Sequence, residues 1–292
     1  MKIAVTGHKG RLGSWLVEQE ACVALKCDIT KPDEIQREME KTSPDVVINC
    51  AAWTEVDDAE NRENYDEVMA INLRGPASVR RAFDGLLIQI STGFVFSGRN
   101  GPYDEEAIPE PVNLYGWSKF GGEAAAQIRQ PTIIVRVLDL FGPTGNGRTD
   151  FVRQVRDALE LGVEKELPDR LFGSPTYIPH LSEALMEIAV RWGDWKHTRF
   201  TPPFPGVKPD VLHVIGDLTL SRFQWGQMIA ESFGYDPGFI VATSEIKGLA
   251  PRPLRGGLNV AKAREMGIPI HSPADGLAAL KLWEQTRGEL DS

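Results

Sequence analysis

The chain has 292 residues, is 42% hydrophobic and 25% charged, and carries a formal net charge of −9. That length and balance support a large folded core and exclude a disordered chain. The acidic charge argues against a nucleic-acid partner, because it repels phosphates. Three cysteines (Cys22, Cys27 and Cys50) lack paired spacing, which argues against a disulfide framework and fits a reducing cytoplasm. The five histidines are scattered without zinc-site spacing, so no metal site is expected. Met1 and Lys2 lead directly into an apolar strand with no secretion signal, and no apolar run is long enough for a membrane span.

Residues 2–6 (KIAVT) read as a buried strand, followed by glycines and a short helix through Trp15, Leu16 and Val17. Residues 22–25 form a second strand. Residues 33–41 read as a polar helix with Thr30 as its N-cap and Asp33 three residues on. Further strands are expected at 46–49, 86–91, 132–137 and 211–215. Residues 63–83 form a long helical stretch interrupted near Gly75-Pro76, and 120–128 a further helical run. Residues 192–209 are a long loop, either functional or a surface insertion. A helix runs through Phe223, Trp225, Met228 and Ile229, and residues 244–259 read as irregular and exposed. Short apolar strands separated by helix-length segments imply right-handed crossovers and a parallel sheet covered on both faces. The expected class is therefore α/β, with a Rossmann-type doubly wound sheet.

The first strand runs into Gly7-His8-Lys9-Gly10-Arg11-Leu12-Gly13, glycines spaced G-x-x-G-x-x-G before a helix. Such a turn lets backbone N–H groups and the positive end of a helix dipole meet a pyrophosphate, with Lys9 and Arg11 adding charge. The place after strand two, where an acidic residue would bind ribose hydroxyls, holds Lys26. A lysine suits a 2′-phosphate and tilts the cofactor toward NADP, with NAD as the alternative. Asp28 and Ile29 either frame the adenine ring or cap the next helix beside Thr30.

Tyr115 and Lys119 form a Y-x-x-x-K pair, one helical turn apart. A free phenol titrates near ~10, too high for efficient proton transfer at neutral pH. A neighbouring ammonium and an oxidised nicotinamide would lower that value. Upstream, Ser91 and Thr92 end a predicted central strand, where open α/β sheets bind their ligands. Either hydroxyl could bond a substrate carbonyl oxygen, Thr92 ahead of Ser91; each could instead bond the local backbone.

With these motifs in order, the chain resembles the extended short-chain dehydrogenases/reductases, and among them the dTDP-4-dehydrorhamnose reductase family, nearly end to end. The resemblance implies that Ala51, Ala52 and Trp53 pass close to the cofactor, with Ser91 also beside it, and that Asn72 is structural. Gly93, Phe94 and Val95 lie where the family contacts its sugar; Gly93-Phe94 replaces the family's Asp-Tyr, which removes polar contacts and leaves the sugar open. Phe172, Thr176 and Tyr177, in FGSPTY, and Arg252, for a diphosphate, are the remaining substrate candidates. The implied organisation is a dinucleotide-binding domain at 1–143, completed by about 174–192 and 208–217, with a smaller C-terminal substrate-binding α/β domain from 144–173 and 218–292. The implied activity is NAD(P)H-dependent reduction of a nucleotide-linked 4-keto-6-deoxysugar. Thr92 would orient the carbonyl, Tyr115 supply the proton, and Lys119 lower the Tyr115 pKa and hold the nicotinamide ribose. The alternatives are an epimerase or dehydratase on a related sugar, or a non-catalytic NAD(P)-binding regulator like the methionine adenosyltransferase β subunit. The resemblance also implies a homodimer through helices near residues 63–83 and 117–130.

Overall fold

A computed structural model describes residues 1–19, 21–143, 149–193 and 210–290. Most of the 192–209 loop therefore lies outside the described residues. Five strands, β1 (Ile3–Thr6), β2 (Val23–Ala24), β3 (Val46–Asn49), β4 (Leu86–Thr92) and β5 (Thr132–Val137), join the strand Val211–His213 in one parallel sheet. Its spatial order is Val211–His213, β5, β4, β3, β1, β2. From β1 the chain goes outward to β2, then returns across β1 to build β3 and β4 on the other side. The strand order thus reverses between β1 and β3, the place where doubly wound sheets hold ligands.

Alternating strand residues fill two cores, because successive side chains point to opposite faces. Ile3, Val5, Ile48, Ile88 and Val135 pack on one face against Leu12, Leu16, Leu181 and Ile188. Ala4, Val47, Leu87 and Ile134 pack on the other against Ile35, Met39, Val79 and Ala126. A third cluster, built around Trp225, Phe141, Val155 and Ile229, ties together the helices Phe151–Glu160, Arg222–Phe233 and Pro273–Leu290. Two strands, Lys165–Pro168 and Ile240–Thr243, pair in parallel beside it.

Two local readings change and one is sharpened. The second helix is Pro32–Thr42, and its N-cap is Lys31 rather than Thr30. Thr30 is instead tied to Asp28, whose carboxylate accepts its N–H at 2.9 Å and its hydroxyl at 2.7 Å. The interruption expected near Gly75-Pro76 is present, as a widened turn just before Gly75 and not as an end of the helical course. Helix Tyr65–Met69 passes through a wider π turn, Ala70–Arg74, into helix Gly75–Ala82. Proline has no N–H to give the preceding turn, and a π turn at that place accommodates it. The catalytic-motif helix starts earlier than 120: it is Leu114–Ala126, because Asn113 caps it by accepting the Gly116 N–H at 2.8 Å.

Candidate active site

The C-terminal ends of β1, β3 and β4 open onto one continuous cleft. At its first end lie Gly7, His8, Lys9, Lys26, Asp28 and Ile29. At the other lie Leu12, Gly13, Thr92, Phe94, Tyr115 and Lys119. Gly10, Cys50 and Ala52 line both ends, directly over the β1/β3 reversal.

The glycine turn has a steric reason. Gly7 sits at φ +66°, and a Cβ there would come within 2.6 Å of the Ala51 nitrogen. A Cβ on Gly13 would meet the Gly7 carbonyl at 2.3 Å. Only glycines let the helix Arg11–Glu18 start this close to the strand. That helix begins at Gly10 with no side-chain cap and no acidic residue in its first turn. Its leading N–H groups and dipole are therefore suited to an anion. A dinucleotide pyrophosphate fits this cradle.

The other cofactor-side residues fall out as follows. Lys26 is exposed beside the cleft, while Glu34 and Asp28 flank it with negative charge. Burial, with Glu38, Glu34 and Asp28, pushes the Cys27 thiol up to about 11. The Asp28 carboxylate accepts from Thr30 in a local turn and does not cap the next helix, whose N-cap is Lys31. Ile29 and Ala51 line the same end. Arg11 departs from the expected phosphate role. Its guanidinium pairs with Asp150 at 2.7 Å and donates to the Leu140 carbonyl at 3.0 Å, so its charge is already matched. Trp53 turns its indole N–H to the Glu55 carbonyl at 3.0 Å and packs in the cluster of Ala59, Val68 and Tyr115.

Tyr115 and Lys119 occupy successive turns of one helix at the end of β4. The helix is held close by small residues: a Cβ on Gly116 would meet the Phe94 carbonyl at 2.2 Å. Asn72 anchors it further, donating to the Ser118 hydroxyl at 2.9 Å while it binds the Trp53 N–H at 2.8 Å and carbonyl at 3.1 Å. Tyr115 is buried and meets Phe94 edge-on, with ring centroids 5.5 Å apart. Burial pushes its pKa up to about 12; the Thr92 side chain, which hydrogen-bonds it, opposes this, and Glu55 adds to the rise. This corrects the expectation that Lys119 lowers it: the ammonium instead donates to the Ile90 carbonyl at 2.7 Å. Burial brings Lys119 itself down to about 8, opposed by Glu123 and Cys50. Ser91 and Thr92 are neighbours on β4 and face opposite ways. The Ser91 hydroxyl donates to Glu123 at 2.5 Å, whereas Thr92 faces Tyr115 and accepts the Phe94 N–H at 3.2 Å.

The substrate-side candidates divide. Phe94, Phe172 and Arg252 line an extension of the cleft with Leu138, Asp139 and Arg222. Thr176 and Tyr177 do not join them. Tyr177 packs between Phe141 and His180, and Thr176 is buried on the Ser174 carbonyl at 3.0 Å. Both belong to the short strand Thr176–Tyr177, which pairs with Leu140–Phe141 and faces the core. Gly93 and Val95 are corrected similarly. Val95 points into a core with Phe96, Leu138 and Ile215, and Gly93 lies beneath Leu138. Arg252 reaches the cleft with its charge paired, donating to Asp57 at 2.6 Å.

Sequence reading missed Asp139, Arg222, Asp57 and Glu123. Asp139 adopts φ +47° and accepts from Arg222 at 2.5 Å, 83 residues away. Asp57 and Arg252 are 195 residues apart. No periodicity links such pairs. Only Glu123 had a local signal, since it continues the Tyr115–Lys119 spacing by four residues.

Comparison with known proteins agrees with this geometry. The RmlD substrate binding domain family matches residues 1–280. A dTDP-4-dehydrorhamnose reductase of Mycolicibacterium smegmatis is 32% identical over 284 residues, covering 91% of this chain and 80% of the relative. One from Mycobacterium tuberculosis is 31% identical, covering 97% and 90%. The crystal structure of a dTDP-4-dehydrorhamnose reductase from Bacillus anthracis, in complex with NADP, superposes with a TM-score of 0.83 at 27% identity, covering 97% of this chain and 99% of that one. The fold, the glycine cradle over the strand reversal and a match running almost the whole length place this chain in the RmlD substrate-binding-domain family.

Proposed function

We infer that this protein is an NADPH-dependent reductase acting on a nucleotide-linked 4-keto-6-deoxysugar. The observation that carries the reading is the convergence of Thr92, Tyr115 and Lys119 beside a glycine turn that suits a dinucleotide pyrophosphate, in a chain whose relatives are named for that reaction. The cofactor, when bound, supplies a hydride to the keto carbon. The protein's part is positioning and a proton. Tyr115, kept protonated at neutral pH by burial, donates its hydroxyl proton to the carbonyl oxygen as charge develops there. The Thr92 hydroxyl, next to that phenol, orients the same oxygen. Lys119, one turn from Tyr115 with its ammonium on the Ile90 carbonyl, would hold the nicotinamide ribose.

Gly7, Gly10 and Gly13 would hold the pyrophosphate, and Lys26, exposed at the adenosine end of the cleft, would suit the 2′-phosphate of NADP. Phe94, Phe172 and Leu138 form the sugar-side wall, and beside it lie Arg252 and Arg222, each paired with a carboxylate, from which a substrate diphosphate would have to draw their N–H groups. Among the described residues no helix is long and apolar enough to cross a membrane. We place the enzyme in the cytoplasm, as a homodimer through the Tyr65–Ala82 and Leu114–Ala126 helices. The first experiment is titration with NADPH and NADH, then incubation with dTDP-4-keto-6-deoxy sugar while the nicotinamide absorbance is followed. Cofactor oxidation that vanishes in Tyr115→Phe supports the reading; failure to bind either cofactor overturns it.

A further inference from the structure

One turn beyond Lys119 the same helix face carries Glu123, so Tyr115, Lys119 and Glu123 sit on three successive turns. Glu123 is buried, as is Arg136 from β5. Its Oε1 accepts the Ser91 hydroxyl at 2.5 Å and Arg136 Nε at 2.9 Å, and its Oε2 accepts Arg136 Nη2 at 2.7 Å. Arg136 in turn lies over the Phe96 ring, 5.0 Å from its centroid, with Nη1 3.5 Å from His213 Nε2. Burial and Arg136 hold His213 down to about 3, so it is neutral and adds no second cation.

A carboxylate buried against a buried arginine is a poor device for stability, because desolvation offsets much of the attraction. It does, however, control two features of the site. It turns the Ser91 hydroxyl inward, leaving Thr92 as the β4 hydroxyl beside Tyr115. It is also a negative charge one helical turn from Lys119, whose own ammonium donates to the Ile90 carbonyl. The other titratable groups facing Lys119 are Tyr115 on its own helix and the Cys50 thiol after β3. Arg136, with His213 behind it and Glu105 on the His213 N–H, faces Glu123.

We propose that Glu123 is a positioning residue for the reaction: it withdraws Ser91 from the substrate side and supplies the countercharge that keeps Lys119 an ammonium at working pH. This rests on the reductase reading of Tyr115 and Lys119. The test is Glu123→Gln, which keeps the shape of the hydrogen-bond network and removes the charge. Both kcat/KM and NADPH affinity, the latter by fluorescence titration, are measured from pH 6 to 10. The alkaline limb of each moves toward acid by about one pH unit or more. Glu123→Asp keeps the charge one methylene further off, and its limbs move less than half as far. A residue with a purely structural role would lower activity at every pH and leave the limbs in place; that result overturns the proposal. Should Glu123→Gln not fold, Glu123→Asp decides alone, and unmoved limbs in it overturn the proposal equally. If the wild-type protein fails to reduce the sugar, the reductase reading fails, while the NADPH-affinity limb still tests Glu123.

Discussion

The backbone carbonyl of Asn72 lies so close to Gly122 that a Cβ on the glycine would come within 2.1 Å of it. This contact docks the π turn Ala70–Arg74 onto the helix that carries Tyr115 and Lys119. The same asparagine's side chain bridges Trp53 and Ser118. Gly122→Ala forces the two elements apart. Overpacking of this kind costs about 1–3 kcal/mol. Thermal unfolding followed by circular dichroism should show Tm lowered by about 2–12 °C, on the scale of 2–4 °C per kcal/mol for larger domains. A variant with wild-type Tm would mean the docking is looser than this geometry.

Tyr115→Phe removes the proton donor and leaves the ring packed against Phe94. Turnover should fall by about 10²–10⁴-fold, the usual range for a positioned general acid, with NADPH affinity changed little. Thr92→Val should lower kcat more than it raises KM, whereas Ser91→Ala should have the smaller effect because its hydroxyl serves Glu123. Steady-state kinetics of the three variants separate these roles; a larger loss in Ser91→Ala would reverse the assignment.

Lys26 stands exposed at the adenosine end of the cleft, with Asp28 and Glu34 nearby. Lys26→Ala should weaken NADPH by about three- to tenfold, the modest range of an exposed charge contact. NADH affinity should stay the same. Equal losses for the two cofactors would show that the lysine does not read the 2′-phosphate.

His213 is buried beside Arg136 and its folded pKa is pushed from 6.5 to about 3, by burial first and Arg136 second. The unfolded chain therefore binds a proton here between those values and the folded chain does not. The resulting stability is fully present above about pH 6.5 and is lost progressively as pH falls toward 3. His213→Gln lacks this titration. Between pH 7 and pH 4.5 its Tm should decline less steeply than that of the wild type in matched scans. Parallel declines would assign the acid sensitivity to other groups.

The sheet was legible because its signal is local. Residues 132–137 form a strand in the structure as in the pattern, and alternate side chains there face two different cores. The glycine turn was legible from its spacing between a strand and a helix, although the steric demand on Gly7 comes from Ala51, far along the chain. Thr30 misled because its hydroxyl donates to the Asp28 carboxylate instead of accepting a helix N–H. Thr176 and Tyr177 misled because a motif gives residue types without the face they turn.

Short-range chemistry thus dictated the individual strands, the glycine spacing of the phosphate-binding turn and the one-turn spacing of Tyr115 and Lys119, each set by neighbours a few residues apart. Folding in three dimensions decided the charges. The partners Asp57–Arg252, Asp139–Arg222 and Glu123–Arg136 meet only when separate elements pack. It also decided that Lys119 lies on the Ile90 carbonyl, and that Ser91 and Thr92 face opposite sides of one strand. The reason is physical: burial and charge pairing act through space, so the pKa of a side chain and the direction of its hydrogen bond depend on elements far along the chain.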